Sequence, residues 1–428
     1  MNEQNDTATT SHSTGESPKN PRRNQPKATG KPPKKWCKFR HRVVRFLAYL
    51  VLYPYSRIRY GIRIEKHRDK RQYAILYNHQ TPFDQFFVGM AFPRVIYYLA
   101  TEDIFSLGFV SSLLRYLVAP IPIKKQTTDL AAIKTCLRVA REGGSIAIAP
   151  EGNRTYSGRT EYMSPAIAPL VRRMKLPIAL YRIEGGYGKE PRWSDVVRKG
   201  KMRSYVARVI EPEEYASLSD DELFRIIEET LYVDEAKPDG KFSHRHSAEY
   251  LERVLYVCPY CGLAPFRSHR NEVMCTRCAQ RVEYLPTKEL RWVECDDEFR
   301  FVADWYNYQK DFVNGLDPLT MTEAPSFTDT VSLYEVFACR KKKRLQKNAT
   351  LRLFGDRIEL DGKKQEFIPF AEARAFTVLG RNRLNVYVGD RIYQLRGDKR
   401  FNALKYVHFY HRYKNLISEG NHGKFLGL

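Results

Sequence analysis

The chain has 428 residues, too many for one ordinary hydrophobic core, so two or three domains are expected. It is 43% hydrophobic and 13% aromatic, enough to bury sizeable cores. Its formal net charge of +23 calls for an anionic partner, either nucleic acid or membrane headgroups. The polar start shows no secretory pattern, so a reducing cytoplasm is expected and the 8 cysteines should not form disulfides. No run of about 18 or more apolar residues suggests a spanning helix.

Residues 1–34 are rich in Ser, Thr, Pro and Lys and lack aromatics, the composition of a disordered basic tail. Residues 35–64 differ: Arg and Lys flank a short apolar centre, FLAYLVLYPY, interrupted by Pro54. Trp36 and the tyrosines suit a membrane interface; the other reading is a helix docked on the next domain. Short apolar runs follow at 73–77, 95–100, 117–123, 145–149 and 177–183, as for strands buried on both faces. Leu130, Ile133, Leu137 and Ala140 recur at helical spacing between two of them, with Thr128 as the expected cap and Gly143-Gly144 as the stop. The alternation predicts an α/β fold with a mostly parallel sheet and covering helices over 65–245. A four-cysteine segment spans 256–284, and 285–327 reads as a helical linker. Over 328–418, six short alternating strands joined by turns and a closing helix predict a small antiparallel β domain.

The run 77–85, YNHQTPFDQ, places His79 five positions ahead of Asp84 at the end of an apolar strand. Positions five apart on an α-helix are about 140° apart, so the pair cannot share a helix face. With Thr81 as N-cap and Pro82 at the first helical position, His79 falls in a loop free to fold back on Asp84. That rim is where α/β sheets hold ligands. The same residues also read as a plain capping pattern. A second apolar strand ends in Glu151-Gly152-Asn153-Arg154. Gly152 allows positive φ or close approach, and Arg154 offers a planar donor fork suited to phosphate, or a partner for Glu151. A third strand ends in Lys124-Lys125, which would add positive charge on that rim.

His-x-x-x-x-Asp in NHQTPFDQ, followed about 70 residues later by PEGNR, closely resembles the lysophospholipid acyltransferase family, typified by 1-acylglycerol-3-phosphate acyltransferases. IPIKK and LPIALYRI, with Pro177, resemble that family's second and fourth motifs. The resemblance covers 35–215, roughly 40% of the chain. Asn153 departs from the usual threonine, and the second motif lacks its typical Gly and Phe. The resemblance implies an enzyme moving a fatty acyl group from acyl-CoA or acyl-acyl carrier protein to a lysophospholipid, above all 1-acylglycerol 3-phosphate. It implies His79 as general base, Asp84 as its orienting partner, and substrate binding by Glu151, Gly152, Asn153, Arg154 and Lys124 or Lys125.

Cys258-x2-Cys261 and Cys275-x2-Cys278, separated by 13 residues, have the spacing of a zinc ribbon, a closed structural Zn2+ site. The C-terminal β segment is similar to pleckstrin-homology or GRAM-like modules in strand order and terminal helix alone, and its basic run at 340–347 could face anionic lipid. A peripheral enzyme on the cytoplasmic face of the membrane, with anionic lipids as partner and no nucleic acid, is the expectation. The rivals are a zinc-ribbon nucleic-acid-binding protein and a non-catalytic lipid-binding scaffold on the same fold.

Overall fold

The computed structural model describes residues 35–101, 109–123, 129–293, 298–337, 342–363 and 365–418. The first half is built on strands β1 (Ile62–Ile64), β2 (Ala74–Tyr77), β3 (Ile96–Thr101), β4 (Ile121–Ile123), β5 (Ser145–Ile148), β6 (Ile178–Glu184) and β7 (Met202–Ile210). They lie in the order β1-β7-β6-β2-β5-β3-β4, and every neighbouring pair is parallel except β6–β7. The α/β fold with a mostly parallel sheet is therefore present.

Helices α1 (Phe39–Arg59), α2 (Asp84–Ala91), α3 (Phe109–Leu117), α4 (Leu130–Arg141), α5 (Ile167–Met174), the short α6 (Gly186–Lys189) and α7 (Pro212–Ala216), and α8 (Asp220–Leu231) accompany this sheet. The apolar strand runs explain the layering. Ala74 and Leu76 of β2 join one core with Val139, Val171 and Ile227 of α4, α5 and α8. Ile75 and Tyr77 point the other way, to a core with Phe87 and Val88 of α2, against which Tyr49, Leu52 and Tyr53 of α1 pack. Period-two alternation thus feeds two cores from one strand.

The second half adds β8 (Val257–Cys258), β9 (Gly262–Leu263), β10 (Phe266–His269), β11 (Glu272–Cys275), β12 (Arg281–Tyr284), β13 (Leu290–Trp292) and α9 (Val302–Asn314). Strands β14 (Phe327–Val336), β15 (Lys343–Leu353), β16 (Arg357–Asp361), β17 (Glu366–Pro369), β18 (Ala373–Leu379), β19 (Arg383–Val388) and β20 (Arg391–Arg396) follow, closed by α10 (Leu404–Ile417). These last seven form an antiparallel sheet in the order β17-β16-β15-β14-β20-β19-β18. One core joins the cysteine segment, α9, this sheet and α10, with Val257, Trp292, Trp305, Leu351 and Tyr410 all buried in it. Trp305 of α9 donates its indole N–H to the Val257 carbonyl, and Gln309 accepts from the amides of Tyr256 and Val257. Residues 285–327 therefore carry core-forming side chains.

Several local expectations need correction. Pro54 does not interrupt α1, which runs through it; Pro54 forfeits one helical hydrogen bond, and docking on the sheet holds the helix together. The segment 117–123 is a strand only from Ile121, because Leu117 completes α3. Helix α4 is capped by Asp129, whose carboxylate accepts from the amides of Ala131 and Ala132; Thr128 lies outside the described residues. Helix α2 begins at Asp84, later than a Thr81 cap requires. The tail 1–34 also lies outside the described residues.

Candidate active site

Strand β2 lies between β6 and β5, and its parallel register with β5 pairs Leu76 with Ile148. His79 and Glu151 each stand three residues further along, so both emerge on one rim. The His79 amide donates to Glu151 Oε1 at 2.9 Å, and burial pushes the Glu151 carboxyl well above the usual carboxylate range. Asn78 explains why an apolar strand ends in a polar residue. Its Nδ2 donates to the Ile183 carbonyl at 2.8 Å, and its Oδ1 accepts the Ile183 amide at 2.7 Å. The end of β2 is thereby tied to β6.

Asp84 is 0% exposed and gathers four donors. Its Oδ2 accepts from the Gln80 amide at 2.6 Å and the Thr81 amide at 2.9 Å, and lies 2.8 Å from His79 Nδ1. Its Oδ1 accepts from Thr81 Oγ1 at 2.7 Å. One carboxylate therefore orients the histidine and gathers the Thr81 amide and hydroxyl, while α2 itself starts at Asp84 without a side-chain cap. With Nδ1–H donating to Asp84, the free lone pair of the imidazole is on Nε2. The His79 side chain keeps 23% of its surface exposed, so that nitrogen remains within reach of a substrate.

The second strand end turns at Gly152, which has φ +65 and open space where a Cβ would stand. Asn153 is exposed. Arg154 does not pair with Glu151: it makes no ion pair among the described residues, and its Nη1 is buried with no protein partner. Burial first, and then the Arg192 guanidinium, push Arg154 down to about 10. Lys124 and Lys125 lie outside the described residues.

Three supports escaped the sequence reading. Gln80, inside the quoted motif, accepts from the amides of Gly186 and Tyr187; a Cβ on Gly186 would stand 2.6 Å from its Oε1. Glu235 accepts from the amides of Gly185, Gly186 and Gly188 and so holds the same loop. Arg192 donates to the carbonyls of Arg154 at 2.9 Å, Val378 at 2.9 Å and Gly380 at 3.2 Å, joining the Arg154 turn to the C-terminal sheet. Only Gln80 had a signal, its place beside His79; the others act across long sequence separations.

The four ribbon-spaced cysteines meet in space. Their Sγ atoms all lie within 4.8 Å of one another, with Cys258–Cys278 and Cys261–Cys275 each at 3.6 Å. Four thiolates about 2.3 Å from a tetrahedral zinc stand about 3.8 Å apart, so the cluster fits that metal. Cys37 and Cys136 lie apart from this group, partly and fully buried; Cys295 and Cys339 lie outside the described residues.

Residues 60–182 match the family described as Acyltransferase, a segment that contains His79, Asp84, Glu151 and Arg154. Over 140 residues the chain is 24% identical to the 1-acyl-sn-glycerol-3-phosphate acyltransferase of Bacillus subtilis (strain 168). That stretch is 32% of this chain and spans 66% of the relative, just under two thirds of its length. The crystal structure of the 1-acyl-sn-glycerophosphate (LPA) acyltransferase PlsC from Thermotoga maritima aligns at 17% identity and a TM-score of 0.36. The alignment covers 45% of this chain and 75% of that one.

The loop support makes a pH prediction. Burial raises the Glu235 carboxyl from its ordinary 4.5 to about 7. The folded protein then binds this proton more tightly than the unfolded chain, so its contribution to stability is greatest below 4.5 and is lost as pH rises to about 7. Glu235→Gln should flatten that fall. Denaturant melts of both proteins across this range check it, and parallel curves would exclude the effect.

Proposed function

We propose that the protein is an acyltransferase that moves a fatty acyl group from an acyl thioester, acyl-CoA or acyl-acyl carrier protein, to the hydroxyl of a lysophospholipid. The favoured acceptor is 1-acylglycerol 3-phosphate, giving phosphatidic acid. The observation that carries this reading is the His79–Asp84 pair, held by a fully buried carboxylate on the rim that also carries Arg154. His79 Nε2 takes the acceptor hydroxyl proton, and Asp84 steadies the imidazolium that forms. The acceptor oxygen attacks the thioester carbonyl. The tetrahedral intermediate collapses, the carbon–sulfur bond breaks, and the thiolate leaves with the proton from His79. Arg154, with its unpartnered Nη1, holds the acceptor phosphate.

Helix α1 supports a peripheral membrane site, taken here to be the cytoplasmic face. Its exposed Phe39, Val43, Phe46, Leu47, Leu50 and Ile58 recur at helical spacing on a face that adjoins the docked tyrosines. No helix among the described residues is long and apolar enough to cross a membrane. Arg40, Arg45, Arg57 and Arg59 donate to backbone carbonyls, and basic residues near an anionic surface add about 1 kcal/mol each. The strand order and closing helix of the C-terminal sheet support a pleckstrin-homology or GRAM-like reading, with anionic lipid as the partner of its basic run. The four cysteines would hold one structural Zn2+, coordinated as thiolates, and no catalytic step passes through it.

Four measurements test these readings. Purified protein incubated with acyl thioesters and lysolipids should release thiol. His79→Ala should slow this about 10²–10⁴-fold with an unchanged melting curve, and a near wild-type rate would overturn the mechanism. Arg154→Lys, which keeps the charge and loses the fork, should lose roughly 10- to 150-fold in kcat/KM on a phosphate-bearing acceptor and less on one without phosphate. Equal losses on both would make Arg154 a scaffold residue. Elemental analysis should find one zinc per chain, lost in Cys258→Ser/Cys275→Ser; a metal-free wild type would reject the site. Replacing Phe46, Leu47 and Leu50 by serine should release the protein from anionic vesicles, and unchanged sedimentation would place the attachment elsewhere.

A further inference from the structure

A cavity of about 280 Å³ opens where the segment following the Arg154 turn meets the C-terminal half of the molecule. Tyr156, Glu161 and Arg192 wall one side; Lys310 of α9, Thr377 of β18 and His408 of α10 wall the other. His79, Asp84 and Arg154 are not among its walls, but Asn153 of the same turn is, so the cavity borders the candidate active site.

Its chemistry is unbalanced. Arg192 is 5% exposed, and its guanidinium carbon stands 4.0 Å over the Tyr156 ring. All its hydrogen bonds go to carbonyls, and among the described residues it has no carboxylate ion pair. A buried cation whose hydrogen bonds all go to carbonyl dipoles has no direct ionic partner. The Tyr156 hydroxyl is buried in the same wall with no protein partner. An orphaned hydroxyl beside a guanidinium with no direct ion pair suits an acceptor-rich anion.

The other titratable groups agree. Lys310 adds positive charge from α9. Arg159 also lines the cavity and is paired with Asp234 and Asp304, which do not. Glu161 is the acid in the lining; its Oε1 accepts the Tyr156 amide, burial pushes its carboxyl up, and the charges of Arg192 and Lys310 act on it in the opposite direction. His408 and His411 are both pushed down to about 3 by burial and stay neutral. The stacked rings of Tyr156 and Tyr306, 6.5 Å apart, give a small polar carbon skeleton a surface to lie against.

We propose that this cavity binds the phosphate of a small phosphomonoester, either a free molecule or the headgroup of a lipid, at a site that His79 and Asp84 do not line. Arg192 both walls the cavity and holds the Arg154 carbonyl, so an occupant would bear on the turn that carries Arg154.

The test uses the full chain and two probes. Binding of glycerol 3-phosphate is followed by calorimetry, and sedimentation is measured with phosphatidylcholine vesicles with and without phosphatidic acid. Lys310→Glu should weaken binding at least about tenfold, as expected when a charged hydrogen bond becomes a repulsion. Asn307→Trp, at an exposed position of α9 in the cavity lining, should block entry. Arg154→Ala should retain binding that both substitutions abolish. Sensitivity of glycerol 3-phosphate binding to the two variants identifies a free phosphomonoester. Sensitivity confined to the phosphatidic acid-dependent sedimentation identifies a lipid headgroup. If Lys310→Glu lowers the melting temperature, Asn307→Trp decides alone. Binding of both probes that is indifferent to these variants, absent from the wild type, or lost only in Arg154→Ala overturns the proposal.

Discussion

A single buried carboxylate organises the candidate active site. Asp84 has no solvent exposure, and burial of an unpaired charge would be costly. It is met by four donors: His79 Nδ1, two backbone amides and the Thr81 hydroxyl. The loop 79–81 must curl around it to supply them, and that curl sets the orientation of His79. The strand end, the loop and the start of α2 are therefore one hydrogen-bonded unit. Removing any donor weakens the set of hydrogen bonds that holds a buried charge.

The unit gains its neighbours from topology. Strand β2 stands between β5 and β6, so one neighbour brings Glu151 and the Arg154 turn while the other supplies the backbone that Asn78 grips. Arg192 then ties the Arg154 carbonyl to Val378 and Gly380 of the C-terminal sheet. Arg381, next in that turn, pairs with buried Glu190, which accepts from the Tyr60 hydroxyl; Tyr60 in turn packs on Phe83 and Phe87 at the start of α2. The C-terminal sheet thus reaches both halves of the rim through buried polar links. The segment that matches the family ends at residue 182 and includes neither Arg192 nor this sheet.

Much of this was legible in the sequence where the signal is local. Continuous apolar runs marked β2, β5 and β6 to within a residue or two, because strands buried on both faces leave few polar positions. His79 and Asp84 could be paired because their spacing is wrong for a helix and right for a strand-to-helix loop. The cysteine quartet was legible from spacing alone. What escaped was non-local or short. Strand β1 has three residues, and β17 carries only Ile368 inward, too little pattern to read. Arg192 and Glu235 look like ordinary surface charges in sequence; only the folded chain buries them against carbonyls and amides from distant segments. The Glu151–Arg154 pairing, which spacing at i, i+3 allows, is absent, and the His79 amide donates to Glu151 Oε1.

The most direct test of the central claim is a double-mutant cycle on kcat/KM for acyl transfer, using Asp84→Asn, His79→Ala and the double substitution. If Asp84 acts through the imidazole, its replacement should slow a protein that has His79 and hardly affect one that lacks it, so the double variant should match His79→Ala alone. Losses that multiply, or an Asp84→Asn enzyme that turns over at the wild-type rate, would show that the buried carboxylate serves the fold and not the reaction.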